Sequence, residues 1–219
     1  MPTGHRYKIA SKPWEFEQIK RLGYETFVEE IPQHEANSSR LHTDKFHDEN
    51  TYIICVKDKK LLGMLAIRCK RPFSLDQKLD DLDKYLPAGR DICEIRLLSV
   101  TEKVRFSRVL KGLFEETVKY CIENGFDAAV ISAIVHQQKL YRHVGFVPFG
   151  PIVGNERARF QPMYLTVEKQ AESKTVMLGS RKNCKGNYLP GPVEIHPQVK
   201  SAFIKSCVSH RSDEFIEIF

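Results

Sequence analysis

The chain has 219 residues, 42% of them hydrophobic and 28% charged, with a formal charge of +6. That is enough apolar material to bury a real core in one or two domains. The positive balance is moderate and no RNA- or DNA-binding motif accompanies it, so nucleic acid is not the expected partner. No run approaches the ~20 apolar residues of a membrane span. Met1 to His5 carry no apolar signal segment, so membrane insertion and secretion are not expected and the cytoplasm is. The six cysteines, Cys55, Cys69, Cys93, Cys121, Cys184 and Cys207, form no CxxC pair. No metal site is expected from them, and Cys55, Cys69 and Cys93 sit in strand-like runs as small hydrophobes.

Residues 5–10 alternate weakly and predict a first strand. Ser11 and Pro13 then mark a helix start. Trp14, Ile19, Leu22, Phe27 and Ile31 continue at helical spacing, which predicts a helix over about 13–30, stopped by Pro32. Residues 33–50 are polar and irregular. Thr51 to Val56, a turn over residues 57–60, and Leu61 to Cys69 predict a hairpin. Residues 74–86 predict a short amphipathic helix stopped by Pro87, and Asp91 to Val100 a further strand.

A long helix comes next, over about 106–124. Val109, Leu110, Leu113, Phe114, Val118, Cys121 and Ile122 fill one face, and Asn124-Gly125 ends it. Phe126 to Ile134 predicts a buried strand and residues 136–143 a short helix ending at Gly145. Phe146 and Val147 begin another strand, and Phe160 to Val167 supplies the last. Meander strands and then a βαβ crossover give a mixed α/β domain.

Three segments of that pattern resemble the GNAT acyltransferases. They are Cys93 to Val100, the loop Arg105-Phe106-Ser107-Arg108-Val109-Leu110, and Leu140 to Phe146 with its tyrosine, glycine and phenylalanine. The resemblance covers about residues 5–168. It implies a mixed central sheet flanked by helices and transfer of an acyl group from a carrier thioester to an amine. The co-substrate implied is acyl-CoA, or acyl-phosphopantetheine on an acyl carrier protein. Backbone N–H groups near Leu98 and Val100, and the helix start at Arg105, Ser107, Arg108 and Val109, would hold it. Arg108 and Leu110 replace the family's glycines, which favours a single phosphopantetheine phosphate over a pyrophosphate. Arg105, Arg108 and Lys111 could then meet an acidic carrier surface.

The stretch Asp44-Lys45-Phe46-His47-Asp48, with the hairpin after it and Arg68, resembles acyl-homoserine lactone synthases and long-chain N-acyl amino acid synthases. Gly23 and Arg96-Leu97 depart from the lactone synthases and favour the amino acid synthases. Acyl transfer needs a base for the amine, donors for the oxyanion and an acid for the thiolate. The resemblance assigns Glu94 as base and Tyr141 as acid. It assigns Asp44, Asp48 and Arg68 to a small amine acceptor such as an amino acid, since Asp can hold an ammonium and Arg a carboxylate.

Composition shifts after Glu168. Residues 169–187 predict a linker. Tyr188-Leu189-Pro190-Gly191-Pro192-Val193-Glu194 and Ser209-His210-Arg211 resemble the opening of a class V aminotransferase. That implies a fusion in which 188–219 begins a domain whose remainder would hold PLP. Phe215 to Phe219 could pair as a sheet edge in a homodimer. The alternative reading is a non-catalytic domain that senses acyl thioesters or docks the aminotransferase.

Overall fold

Lys12 opens the first helix in extended backbone, with Pro13 at the first helical position. Glu15 folds back over this start. Its carboxylate accepts the N–H groups of Ser11 at 2.8 Å and Lys12 at 3.1 Å, and pairs with the Lys8 ammonium at 2.7 Å. Burial alone would raise its carboxyl, but Lys8 and the two N–H groups more than reverse this and hold it lowered. A lowered carboxyl stabilises the fold above the ordinary carboxylate range, and the contribution is lost as pH falls through the folded value. Glu15→Ala is expected to cost about 2 kcal/mol of unfolding free energy at neutral pH and less below pH ~4, read from urea midpoints across pH.

The structure, a computed structural model, describes residues 4–105, 108–154 and 158–169. Its helices are α1 (Pro13–Tyr24), α2 (Arg108–Glu123) and α3 (Gln138–Val144). Its strands are β1 (Arg6–Ile9), β2 (Asn50–Lys57), β3 (Lys60–Arg68), β4 (Ile92–Val100), β5 (Ala128–Ile134), β6 (Val147–Pro148), β7 (Val153–Gly154) and β8 (Arg159–Thr166). They form one mixed sheet in the order β1-β2-β3-β4-β5-β8-β6, and β7 pairs with β8. Every pairing is antiparallel except β4 with β5. The β2–β3 turn places Asp58 and Lys59 at positive φ, as a tight two-residue hairpin requires.

Helices α2 and α3 cover one face of the sheet. Val109, Leu113 and Phe114 pack there on Ile53, Leu65, Ile67, Ile95 and Ile131. On the other face α1 covers Tyr52, Ile54, Met64 and Ala66, and residues 73–86 cover Val130.

Two expected helices change form. The first runs as α-helix only to Tyr24. Residues Glu25–Glu30 widen to a π-turn, with the Ile31 N–H donating to Thr26 O. The expected helix over 74–86 is a single helical turn at Leu75–Leu79 and a 3₁₀ turn at Leu82–Tyr85. Its apolar spacing is used, since Leu75, Leu79 and Leu82 are buried. Its backbone is not free to continue. Glu94 takes the N–H groups of Ser74 and Leu75, Asp76 takes that of Phe73, and Asp81 turns left-handed. The expected linker beyond Lys169 and the aminotransferase-like tail lie outside the described residues.

Candidate active site

The strand register brings polar side chains to the face that α1 and residues 73–86 cover. Asn50, Arg68 and Glu94 stand opposite one another across β2, β3 and β4, and Tyr52, Ala66 and Arg96 form the next row. The loop before β2 folds over both rows. Asp44 accepts Arg96 in bidentate fashion at 2.8 and 3.0 Å, and also accepts the Phe46 N–H and Asn50 Nδ2. The Phe46 ring lies against two guanidinium groups, with Arg68 at 3.8 Å and Arg96 at 4.7 Å from its centroid.

Strands β4 and β5 pair only from Ile92/Ala128 to Glu94/Val130, although β4 runs on to Val100 and β5 to Ile134. The separation has a local cause. β4 carries one extra residue against β3 between Arg96 and Ser99, and Leu97 takes a positive φ of 53°. Such a bulge bends its strand and re-aims the residues beyond it. The Thr101 N–H donates to Leu62 O on the β3 side. Alternation then turns the N–H groups of Val100 and Leu98 toward the opening that β5 has left. The start of α2 lies just beyond.

Several of the expected site residues are engaged with other groups of the protein. Glu94, expected as the base, is completely buried. Its two oxygens accept Ser74 N–H at 2.8 Å, Ser74 Oγ, and Leu75 N–H at 3.2 Å, with Arg96 Nε at 3.4 Å. That arrangement anchors residues 73–75 to β4 and leaves no oxygen facing a substrate. Arg68, expected to grip an acceptor carboxylate, lies beneath Phe46, donates to Pro72 O at 2.7 Å and meets Glu49 at 3.2 Å. Asp44 is committed to Arg96, and Asp48 is exposed on the loop.

Arg105 pairs through both oxygens of Glu30, tying the α2 approach to the π-turn rather than offering a free cation. The Val109 side chain is in the core, Arg108 O accepts the Tyr7 hydroxyl, and Ser107 lies outside the described residues. Tyr141 is buried edge-on to Phe146, and its hydroxyl has no hydrogen bond among the described residues. Burial pushes that phenol up to about 12.

Further polar groups not assigned from the sequence lie on the same face of the sheet. The Tyr52 hydroxyl lies 3.0 Å from His47 Nδ1, and burial pushes the phenol up to about 12. Lys78 reaches from the 73–86 segment to Ser132 Oγ on β5 at 3.3 Å. Its ammonium sits 4.4 Å from the Phe160 ring centroid. Lys78 is exposed as a residue, but partial loss of water around its ammonium lowers its pKa, Arg96 and Lys45 lower it further, and Glu94 opposes them. No carboxylate lies within ion-pair distance of Lys78 among the described residues. The period of two places Arg96 on the same face as Glu94, a signal the sequence offers. Nothing local in the sequence brings Lys78 to β5.

Among the described residues, no three His, Cys, Asp or Glu side chains converge as metal ligands, and no helix is long and apolar enough to cross a membrane. A search of curated proteins finds no match. Solved structures with the same fold include FeeM, an N-acyl amino acid synthase from uncultured soil microbes. It is 17% identical over 80% of this chain and 97% of its own, with a TM-score of 0.62. The CoA-dependent acyl-homoserine lactone synthase BjaI, with SAM and isopentyl-CoA, is 16% identical over 80% of this chain and 90% of its own, TM-score 0.63. The lactone synthase LasI is 14% identical over 87% of this chain and all of its own, TM-score 0.65. The sequence model of N-acyl amino acid synthase FeeM matches residues 18–168, from within α1 through the polar loop and the bulged β4 to the strands beyond it. With that match over most of its length, the chain is an acyltransferase of the FeeM family of N-acyl amino acid synthases.

Proposed function

We propose that this protein transfers an acyl group from a thioester, on acyl carrier protein or coenzyme A, to the amine of a carboxylate-bearing acceptor such as an amino acid. The observation that carries the reading is the parting of β4 from β5 at the Leu97 bulge. It opens a slot where an extended pantetheine arm can lie beside strand N–H groups. In this reading the thioester carbonyl points at the N–H groups of Leu98 and Val100, which stabilise the oxyanion as the amine attacks.

Tyr141 faces the departing sulfur. Its phenol, pushed up to about 12, is far less acidic than a thiol near 8.5. It therefore supports the leaving thiolate by donating a hydrogen bond, and the proton that completes the thiol comes from the adduct nitrogen. Glu94 acts at one remove: it fixes residues 73–75 and through them the approach of Lys78. Lys78 meets the acceptor carboxylate, which supplies the counter-charge its head group lacks.

The start of α2 carries Arg108 where a glycine would let a pyrophosphate approach. Carrier-bound phosphopantetheine is therefore the preferred donor. The domain reading goes with it: residues 1–168 as acyltransferase, 169–187 as linker, and 188–219 as the start of an aminotransferase acting on the same amino compound.

The test offers medium- and long-chain acyl groups on carrier protein and on coenzyme A, each with the twenty common amino acids, and reads amide by mass spectrometry. Amide from carrier-bound donors at higher kcat/KM is the expected result. Amide from coenzyme A alone removes the carrier preference, and no amide from either donor removes the function.

A further inference from the structure

On the far side of the Leu97 bulge from the thioester slot lies a small pocket between α1, the polar loop and the sheet. Gly23, Phe27, His42, Asp44, Tyr52 and Leu97 are among the residues lining it. Resting on the acyl-transfer reading above, we propose that the acceptor amine binds in this pocket and that His42 Nε2 is the base that takes its proton.

His42 is held in place before any substrate arrives. Its backbone N–H donates to Lys20 O at 2.9 Å, and its ring stacks on His34 with centroids 4.3 Å apart. Phe27 packs against the ring at 6.3 Å. Yet Nε2 is buried without a hydrogen-bond partner among the described residues. A buried imidazole nitrogen facing nothing polar is costly unless a ligand completes it.

The other titratable groups on the pocket wall are committed. Asp44 holds Arg96, and His47 Nδ1 is matched to the Tyr52 hydroxyl. Burial lowers the His42 pKa, His34 and Arg96 lower it further, and Asp44 opposes them. At neutral pH the ring is therefore uncharged, and in the Nδ1–H tautomer Nε2 offers a lone pair.

One proton passes from the acceptor ammonium to His42 Nε2, and the freed nitrogen lone pair forms the C–N bond while the carbonyl pair moves to oxygen. Collapse of the adduct breaks the C–S bond, and the second nitrogen proton goes to the thiolate. Amide, thiol and imidazolium result, and the imidazolium gives up its proton to solvent that follows the departing product into the pocket. Leu97, which lines the pocket, carries the bulge that separates it from the thioester slot.

His42→Phe keeps the stack with His34 and Phe27 but removes the nitrogen, and His42→Gln keeps a polar atom without the basicity. Both should melt within a few degrees of the parent. With the most active donor and amino acid, wild-type kcat/KM should fall on the acid side with a midpoint below His's ordinary ~6.5. Both variants should lose about 100-fold in kcat/KM and lose that limb, with the donor KM unchanged. Variants within about fivefold of wild type that keep the acid limb would overturn the assignment and leave the acyl-transfer reading standing. If wild type makes no amide with any pair, that reading fails by itself. The His42 imidazole nitrogen resonances, titrated with the twenty amino acids, then decide: a shift at Nε2 supports the amine site and no shift overturns it.

Discussion

Replacing Arg96 with alanine is expected to destabilise the protein by about 3–5 kcal/mol, the range for removing one partner of a buried ion pair. Arg96 is 11% exposed, Asp44 7% and Glu94 0%. The guanidinium makes two bonds to Asp44, approaches Glu94 at 3.4 Å and covers the Phe46 ring. Without it, two carboxylates stay buried with less compensation than folding arranged for them. Urea unfolding should show the full loss in Arg96→Ala and a smaller one in Arg96→Ala/Asp44→Asn, because the second change removes one stranded charge. A double variant as unstable as the sum of the singles would mean the pair does not act as a unit.

The pH dependence gives an independent readout of the same pair. Burial by itself would raise the Asp44 carboxyl, but Arg96, the Phe46 N–H and Asn50 reverse this and hold it lowered. In the parent the contribution is full above the ordinary carboxylate range near 3.9 and lost as pH falls through the folded value. In Arg96→Ala the burial remains and the guanidinium does not. The carboxyl then rises relative to the parent, so the stability gained as pH rises through the carboxylate range should be smaller than in the parent.

The same cluster shows what the sequence can and cannot disclose. The strands are legible because their side chains alternate or run apolar: strands are expected over 51–56, 61–69 and 91–100, and β2, β3 and β4 match them to within a residue at each end. Helix α2 is legible from its single apolar face. The segment 74–86 departs from its expected helix for a physical reason. Leu75, Leu79 and Leu82 satisfy helical spacing, but spacing reports which side chains are buried and not where backbone N–H groups go. Glu94, about twenty residues away in the chain, claims two of them.

The candidate site is legible by segment and not by role. Asp44, Arg68, Glu94 and Tyr141 all fall in the region that the sequence singles out. Their roles depend on partners that only the sheet register supplies. Asp44 meets Arg96 from 52 positions away, and Arg68 turns from its opposite number Glu94 toward Glu49 and Pro72. His42 gives no signal in the sequence because its chain neighbourhood is polar and irregular. Its distinguishing property, a buried nitrogen without a partner, exists only after residues 34, 27 and 97 have come together.

Lys78→Met is expected to raise KM for a carboxylate-bearing acceptor by about 10- to 100-fold, the loss for one charge-assisted hydrogen bond of roughly 1.5–3 kcal/mol. The thioether keeps much of the stem's apolar contact with Phe160 and removes the charge. The decarboxylated amine of the same acceptor is the control, and its KM should change less than threefold, since it has no group for Lys78 to hold. Equal losses on both acceptors would show that Lys78 only braces the 73–86 segment against β5. Its ammonium is held below the ordinary lysine value by partial loss of water and by Arg96 and Lys45, so it loses charge earlier than a fully hydrated lysine as pH rises. Carboxylate binding should therefore weaken on the alkaline side in the parent, and Lys78→Met should remove that dependence while leaving the amine control unchanged. Lys78→Arg keeps the charge but presents a planar fork in place of a compact ammonium. It should recover the preference for the carboxylate only in part, which separates charge from shape at this position.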